Sequence, residues 1–330
     1  MEIFNIKSNS DFEAKCIEVF KHQSKNCPVY KQYIELLGVN PNDIISYNQI
    51  PMLPIRFFKS KKIISGTNND CECDVVFTSS ATTGMIPSKH YVKDLEVYKQ
   101  SFIEGFRFFY GEPKEFVILS LLPSYLERKG SSLVYMAENL MNMASDGGFY
   151  LYNHSDLYKK LEQLKESKQK TILLGVTFAL LDFIKEFKID FPDLIVMETG
   201  GMKGRGKEIP RTELHSILCE SFGVQKIHSE YGMAELLSQA YSKGDGIFNT
   251  PPWMRVVISD VYDPFMRLSI ENSSDAYVQG RVNIIDLANI NSCSFIETED
   301  KGRQYANYSF TIDGRLKEAE LRGCNMLLND

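Results

Sequence analysis

The feature that most constrains this chain is an alternation between short, almost wholly apolar runs and amphipathic stretches. Residues 73–77, 116–121, 171–174 and 194–197 each read as a buried strand. Runs this short and this apolar fit strands covered on both faces. Between them, residues 157–168 and 178–187 carry helical spacing. Polar loops follow the strands: residues 79–84 after the first, and Gly200-Gly201 just beyond the last. Strands alternating with helices specify an α/β sheet, and such sheets bind ligands at the carboxyl edge of their strands.

Two other regions have a different texture. Residues 10–37 read as helical, with Ser10 and Glu13 as a capping-box signal and a break at residues 26–28. Pro41, Pro51 and Pro54 mark an irregular connection that ends in Arg56-Phe57-Phe58-Lys59, a run that reads as packing plus solvated charge. After about residue 250 the chain turns to shorter β-rich segments at 255–258, 266–270, 281–285 and 308–312. They predict a more antiparallel subdomain.

Composition narrows the function classes. The chain of 330 residues is 43% hydrophobic and 24% charged, which is ordinary globular material. A net charge of -6 argues against a mainly electrostatic binder of nucleic acid or anionic membrane. The most apolar stretch, residues 171–184, is interrupted by Gly175 and Asp182. It falls short of the ~20 residues that a bilayer span needs, so no transmembrane segment is expected. Residues 1–6 lack the apolar core of a secretory signal. With seven cysteines, an odd number, the expectation is a reducing, cytoplasmic setting. Cys71 and Cys73 are too few and too close together to make a zinc site alone, and read as free thiols.

Four stretches have residues suited to chemistry. Ser79-Ser80-Ala81-Thr82-Thr83-Gly84 offers hydroxyls and free backbone N–H groups after a strand, which suits a polyphosphate as well as a plain loop. Glu198-Thr199-Gly200-Gly201-Met202-Lys203 places paired glycines where a flat ring can approach the backbone, or where a tight turn sits. Residues 201–207 come near a phosphate-binding Walker loop, but Glu208 stands where the magnesium-binding Ser or Thr belongs. His228-Ser229-Glu230-Tyr231-Gly232-Met233-Ala234-Glu235 joins an aromatic, a glycine and a carboxylate; its bland alternative is a helix start with solvated acids. Thr298-Glu299-Asp300 and Asp313-Gly314-Arg315 supply an Asp and an Arg suited to ribose hydroxyls, or plain turn residues.

Taken in order and spacing, these stretches resemble the adenylate-forming enzymes: acyl-CoA synthetases, firefly luciferase and the adenylation domains of peptide synthetases. The closer resemblance is to the acyl-protein synthetase family, and next to phenylacetate-CoA ligases. It extends over Ile50-Pro51-Met52-Leu53-Pro54-Ile55-Arg56-Phe57-Phe58-Lys59-Ser60, Leu122-Pro123-Ser124-Tyr125-Leu126-Glu127-Arg128, Ser131-Ser132-Leu133-Val134-Tyr135-Met136 and Glu320-Leu321-Arg322-Gly323-Cys324-Asn325.

The resemblance implies a large adenylate-forming domain over residues 1–312, with mixed sheets flanked by helices and a β-rich subdomain from about 250. A hinge-like stub at 313–330 stands where acyl-CoA synthetases carry a small domain with a catalytic lysine. It further implies an ATP- and Mg2+-dependent enzyme that converts a carboxylic acid to its acyl-adenylate and passes the acyl group to a thiol. Ser79, Ser80, Thr82, Thr83 and Gly84 correspond to the phosphate loop, with Ala81 where the family usually has glycine. Gly200, Gly201, Tyr231, Gly232 and Met233 correspond to the adenine side, Glu235 to the magnesium-binding acid, and Asp300 and Arg315 to the ribose pair. Lys203 is the candidate cation in place of the small-domain lysine, and Cys324 the candidate acyl acceptor. Coenzyme A or a partner protein is the alternative acceptor. The alternatives for the chain as a whole are an acyl-CoA ligase of the phenylacetate-CoA ligase type and a non-catalytic nucleotide-binding module.

Overall fold

The apolar runs become the middle of one large mixed sheet. The computed structural model describes residues 2–66, 72–79, 86–123, 128–200, 209–270 and 275–316. Among them the helices are α1 (Asn9–Asn26), α2 (Pro28–Leu36), α3 (Phe57–Ser60), α4 (Leu95–Tyr110), α5 (Ser132–Met143), α6 (His154–Glu166), α7 (Thr177–Glu186) and α8 (Arg211–Phe222). The strands of the first half are β1 (Leu53–Pro54), β2 (Val75–Thr78), β3 (Lys89–Val92), β4 (Val117–Leu121), β5 (Asp146–Phe149), β6 (Thr171–Val176) and β7 (Ile195–Thr199). Those of the second are β8 (His228–Tyr231), β9 (Ala240–Ser242), β10 (Phe248–Asn249), β11 (Met254–Ser259), β12 (Arg267–Leu268), β13 (Tyr277–Asp286), β14 (Phe295–Tyr305) and β15 (Phe310–Arg315).

The sheet runs β12-β11-β13-β14-β15-β10-β9-β8-β7-β6-β4-β5, and β1 pairs with β14 off that path. The pairs from β5 across to β8 are parallel. From β8–β9 onward the pairs along this path are antiparallel. β2 and β3 form a separate hairpin. The expected α/β architecture with a β-rich second part is therefore present, with the two parts continuous through the β8–β9 pair.

Burial explains the parallel half. Every residue of β4 and β6 is buried, as strands covered on both faces must be. α5 packs on β4 and β5, and α7 packs on β6, β7 and α8. Phe183 of α7 stacks flat against Phe222 of α8 with ring centroids 5.8 Å apart. No helix among the described residues is long and apolar enough to cross a membrane.

The N-terminal helical stretch divides as its sequence implies. Cys27 is extended and Pro28 opens α2, because proline lacks the donor that an interior turn needs. The cap differs from expectation. Ser10 lies inside α1, and Ser8 is the N-cap, its hydroxyl accepting from Asp11 N at 3.1 Å. Glu13 serves another contact, accepting from Tyr47 N at 2.8 Å.

Leu173 sits at the centre of β6 and is wholly buried. Leu173→Ala should cost about 2–5 kcal/mol of unfolding free energy, through lost burial plus the cavity left behind. Ile45→Ser, at a position 78% exposed, should change stability by less than about 0.5 kcal/mol. Urea unfolding of the two variants checks the pair.

Candidate active site

The candidate site residues gather where two neighbouring parallel strands end. β7 finishes at Thr199, and Gly200 follows with φ of 66°, a left-handed backbone that favours glycine. The turn is pinned by the Thr177 hydroxyl at the start of α7. That hydroxyl reaches the Gly200 carbonyl at 2.5 Å and Glu198 Oε2 at 3.3 Å. β8 finishes at Tyr231, one strand over.

Tyr231 turns its phenol toward the antiparallel half and donates to Asp300 Oδ2 at 2.7 Å. Its ring meets Phe248 and Phe310 edge-on. Asp300 in β14 is the register partner of Arg315 in β15, and Arg315 Nε lies 3.8 Å from Asp300 Oδ1. The Asp300 backbone N–H donates to the Thr298 hydroxyl at 3.1 Å. So Tyr231, Asp300 and Arg315, separated by up to 84 positions in sequence (315 minus 231), meet at one place. Neither residues 298–300 nor 313–315 form a plain turn; both are strand.

Burial pushes the Asp300 carboxyl up, while the Tyr231 hydrogen bond and the Arg315 charge pull it back toward its ionised form. Burial, and next the Asp300 charge, holds the Tyr231 phenol well above its ordinary range, so it stays a donor. Arg315 is 80% exposed on its side chain, so its attraction to Asp300 is strongly screened.

Glu235 is not the solvated acid of a helix start. It is 5% exposed, in a turn after β8. Burial raises its pKa; a hydrogen bond with Ser88 and the charges of Lys59 and Arg315 act the other way. Ser88 N donates to the Ser79 hydroxyl at 2.9 Å, and Ser79 N donates to the Ser88 carbonyl at 3.1 Å. These bonds bring Ser79, at the head of the hydroxyl loop, next to Glu235.

The backbone around Glu235 is fixed from below. Asn289 Nδ2 donates to the Glu235 carbonyl at 2.8 Å. His90 Nδ1 lies 2.9 Å from the Ala234 carbonyl and Nε2 lies 2.9 Å from the Ser292 hydroxyl. A carbonyl only accepts, so Nδ1 carries the proton and Nε2 accepts. Burial lowers His90 to about 4, which keeps the ring neutral and this arrangement fixed.

The Arg56-Phe57-Phe58-Lys59 run is not mere solvated surface. β1 pairs with β14, which carries α3 to the site. Arg56 Nε then reaches Glu299 Oε1 at 2.5 Å, Phe58 is buried edge-on against His90, and Lys59 acts on Glu235. The sequence signal was present in two cations bracketing two aromatics just after a proline-marked connection. Ser88, His90 and Asn289 have no such signal.

Gly232 and Met233 follow Tyr231 directly; Met233 is half-buried against the core. A Cβ at Gly232 would overlap Glu230 Oε1, so a larger residue there would push that carboxyl group aside. Ser80, Ala81, Thr82, Thr83, Gly84, Gly201, Lys203 and Cys324 lie outside the described residues. Among the described residues no group of three or more His, Cys, Asp or Glu side chains is placed to hold a metal ion.

A sequence profile of the family described as "Acyl-protein synthetase, LuxE" matches residues 5–330. A comparison with curated proteins gives no match. Among solved structures, the chain is similar to an open conformation of 2-hydroxyisobutyryl-CoA ligase in complex with 2-HIB-AMP and CoA. The TM-score is 0.66 at 12% identity, over 93% of this chain and 69% of that one. It is also similar to ATP-bound MatB from Rhodopseudomonas palustris, with a TM-score of 0.53 at 15% identity, over 76% of this chain and 50% of that one. At such identities the likeness is one of fold.

Tyr231→Phe removes a part-buried donor from Asp300 while keeping the ring. It should destabilise the nucleotide-free protein by about 1 kcal/mol, since a part-buried acceptor loses its partner. Guanidinium unfolding of wild type and variant measures it.

Proposed function

The chain belongs to the acyl-protein synthetase (LuxE) family, and we propose that it builds an acyl-adenylate over the ends of β7 and β8. It is an AMP-forming ligase that activates a carboxylic acid with ATP. A carboxylate oxygen of the acid attacks the α-phosphorus, the bond from that phosphorus to the bridging oxygen breaks, and pyrophosphate leaves. Such chemistry is mostly positioning and charge neutralisation.

One observation carries the assignment of roles: Tyr231 and Arg315 meet at the part-buried Asp300, within electrostatic reach of Glu235. In this reading Asp300 accepts from ribose hydroxyls and Arg315 flanks them. Gly200, Gly201, Tyr231, Gly232 and Met233 form the adenine side. Ser79, Ser80, Thr82, Thr83 and Gly84 hold the phosphates by hydroxyl and backbone donors. Lys59 and Lys203 supply positive charge to the leaving pyrophosphate.

The donor set at Glu235 suits Mg2+, an ion that binds through one or two carboxylates plus substrate phosphates and keeps several waters. Glu235 presents a single hard carboxylate that burial raises and that Ser88, Lys59 and Arg315 only partly draw back toward its charged form, so a cation placed on it would be favoured. Glu235 would hold the ion, which supplies further neutralisation of the phosphate charge. Glu235→Gln keeps the shape and removes the charge. It should lower acid-dependent pyrophosphate exchange by about 10²-fold or more, the scale of losing one preorganised electrostatic group. Exchange near the wild-type rate at saturating magnesium would remove Glu235 from this role. Absence of exchange with every member of an aliphatic and aromatic acid panel would favour a non-catalytic nucleotide-binding module.

For the second half-reaction the proposed acceptor is Cys324. Four of the described cysteines are poorly suited, because burial holds Cys16, Cys27, Cys219 and Cys293 as thiols, and the thiolate is the nucleophile. Attack of the Cys324 thiolate on the acyl carbon forms a thioester and expels AMP. Coenzyme A is the alternative acceptor, as it is a ligand of the 2-hydroxyisobutyryl-CoA ligase structure. With ATP and a labelled acid, the protein should acquire a hydroxylamine-sensitive label that Cys324→Ser abolishes while pyrophosphate exchange survives. A label that persists in the variant moves the acceptor to another residue, and a labelled product seen only with added coenzyme A assigns it there.

A further inference from the structure

Glu230 is a buried acid that the proposed chemistry does not use. It lies on β8 one residue before Tyr231, and its side chain turns back toward β7. The Thr199 hydroxyl, on the residue before the Gly200 turn, donates to Glu230 Oε2. Glu230 Oε1 fills the space beside Gly232. One carboxyl group therefore touches the last residue of β7 and the turn that follows β8, the two segments assigned to the adenine side. Register alone pairs Thr199 with Glu230 but does not fix how the turns beyond them stand to each other.

We propose that Glu230 is a positioning residue: its carboxyl group latches the Thr199–Gly200 turn to the Tyr231–Gly232 turn and so shapes the face that receives the nucleotide base. This rests on the nucleotide assignment above. The surroundings of the latch, apart from the Thr199 hydrogen bond itself, favour the neutral acid. The charged group acting on Glu230 is another carboxylate, Glu198, from the same end of β7. Around it stand the phenols of Tyr98 from α4 and Tyr241 from β9, both held protonated by burial, and the Gln239 side chain beside Gly232. Arg211 and His215 of α8 face Glu198, at 3.7 and 3.6 Å, and so do not neutralise Glu230 directly.

Burial first, and Glu198 in addition, raise Glu230 to about 7 against the Thr199 hydrogen bond, from an ordinary 4.5. The sign follows from linkage. A carboxyl raised in the fold contributes stability that is complete below the unfolded value of 4.5 and is lost as pH rises through about 7. Above that pH a charge develops in a buried place beside Glu198, and the cost of burial and the Glu198 repulsion outweigh the firmer Thr199 hydrogen bond, so the two turns are loosened.

The test combines a binding measurement with one that needs no catalysis. For the wild type, calorimetric ATP affinity should be steady from pH 6 to 7 and weaken about tenfold by pH 9, within the limit of tenfold per pH unit that one proton allows. Glu230→Gln, always neutral, should flatten that profile. Thr199→Val should raise the KM for ATP about tenfold while changing kcat less than about threefold, and Thr199→Ser should restore it. Independently, amide hydrogen exchange at Gly200, Tyr231 and Gly232, corrected for intrinsic rate, should speed above pH 7 in the wild type and not in Glu230→Gln. Superimposable wild-type and Glu230→Gln profiles in both measurements would overturn the latch. So would a Thr199→Val protein that binds ATP as the wild type does. A protein that shows the exchange difference but never turns over any acid would keep the latch and sink the catalytic reading instead.

Discussion

The candidate site depends on one part-buried hydrogen bond, from the Tyr231 phenol to the Asp300 carboxylate. It is the point where the parallel half of the sheet and the antiparallel half share a functional group. Tyr231 ends the last parallel strand, and Asp300 lies in the middle of β14. Burying a carboxylate is costly unless its lone pairs are met, and the phenol is the donor that meets one of them. The same contact fixes how far β14 and β15 stand from the carboxyl edge of β7 and β8, and with them where Arg315 projects.

β14 extends that influence. It pairs with β13, β15 and β1, so a single strand sets the position of Asp300, of Arg315 across from it, and of α3 through β1. Its three acidic residues are each matched: Glu297 to buried Arg281 at 3.1 Å, Glu299 to Arg56, Asp300 to Tyr231. Removing Arg281 would strand the Glu297 charge in a low dielectric, which costs more than the intact pair contributes, whereas the Arg56–Glu299 pair is partly in water and screened.

That matching is also why β14 is poorly legible as a strand. Glu297-Thr298-Glu299-Asp300-Lys301 has the composition of a solvated loop, and its partners lie far away in sequence. β4, β6 and β7 are the opposite case, because helices cover the sheet there and leave continuous apolar runs that can be read directly. β5 went unread for a third reason: Asp146-Gly147-Gly148-Phe149 is an edge strand with neither alternation nor β-branched residues. At the site, Tyr231, Asp300 and Arg315 were legible as types in an order, and the structure brings them together. The burial of Glu235, and the cations that face it, were not legible, since Lys59 and Arg315 lie 176 positions before it (235 minus 59) and 80 after (315 minus 235).

The charges at the site constrain what can bind there. Glu235 and Asp300 are both raised by burial, which measures an environment reluctant to hold negative charge. Against two carboxylates stand Lys59, which acts on Glu235, and Arg315, which acts on both and is largely in water. The described groups are thus near balance before any ligand arrives. A triphosphate brings several further negative charges to the same edge. Hydroxyls and backbone N–H groups of the kind the Ser79 loop offers orient phosphate oxygens but carry no net charge. A nucleotide can therefore settle against Glu235 only together with added positive charge. A divalent ion bound with the nucleotide, or a further cationic side chain brought to the phosphates, would supply it.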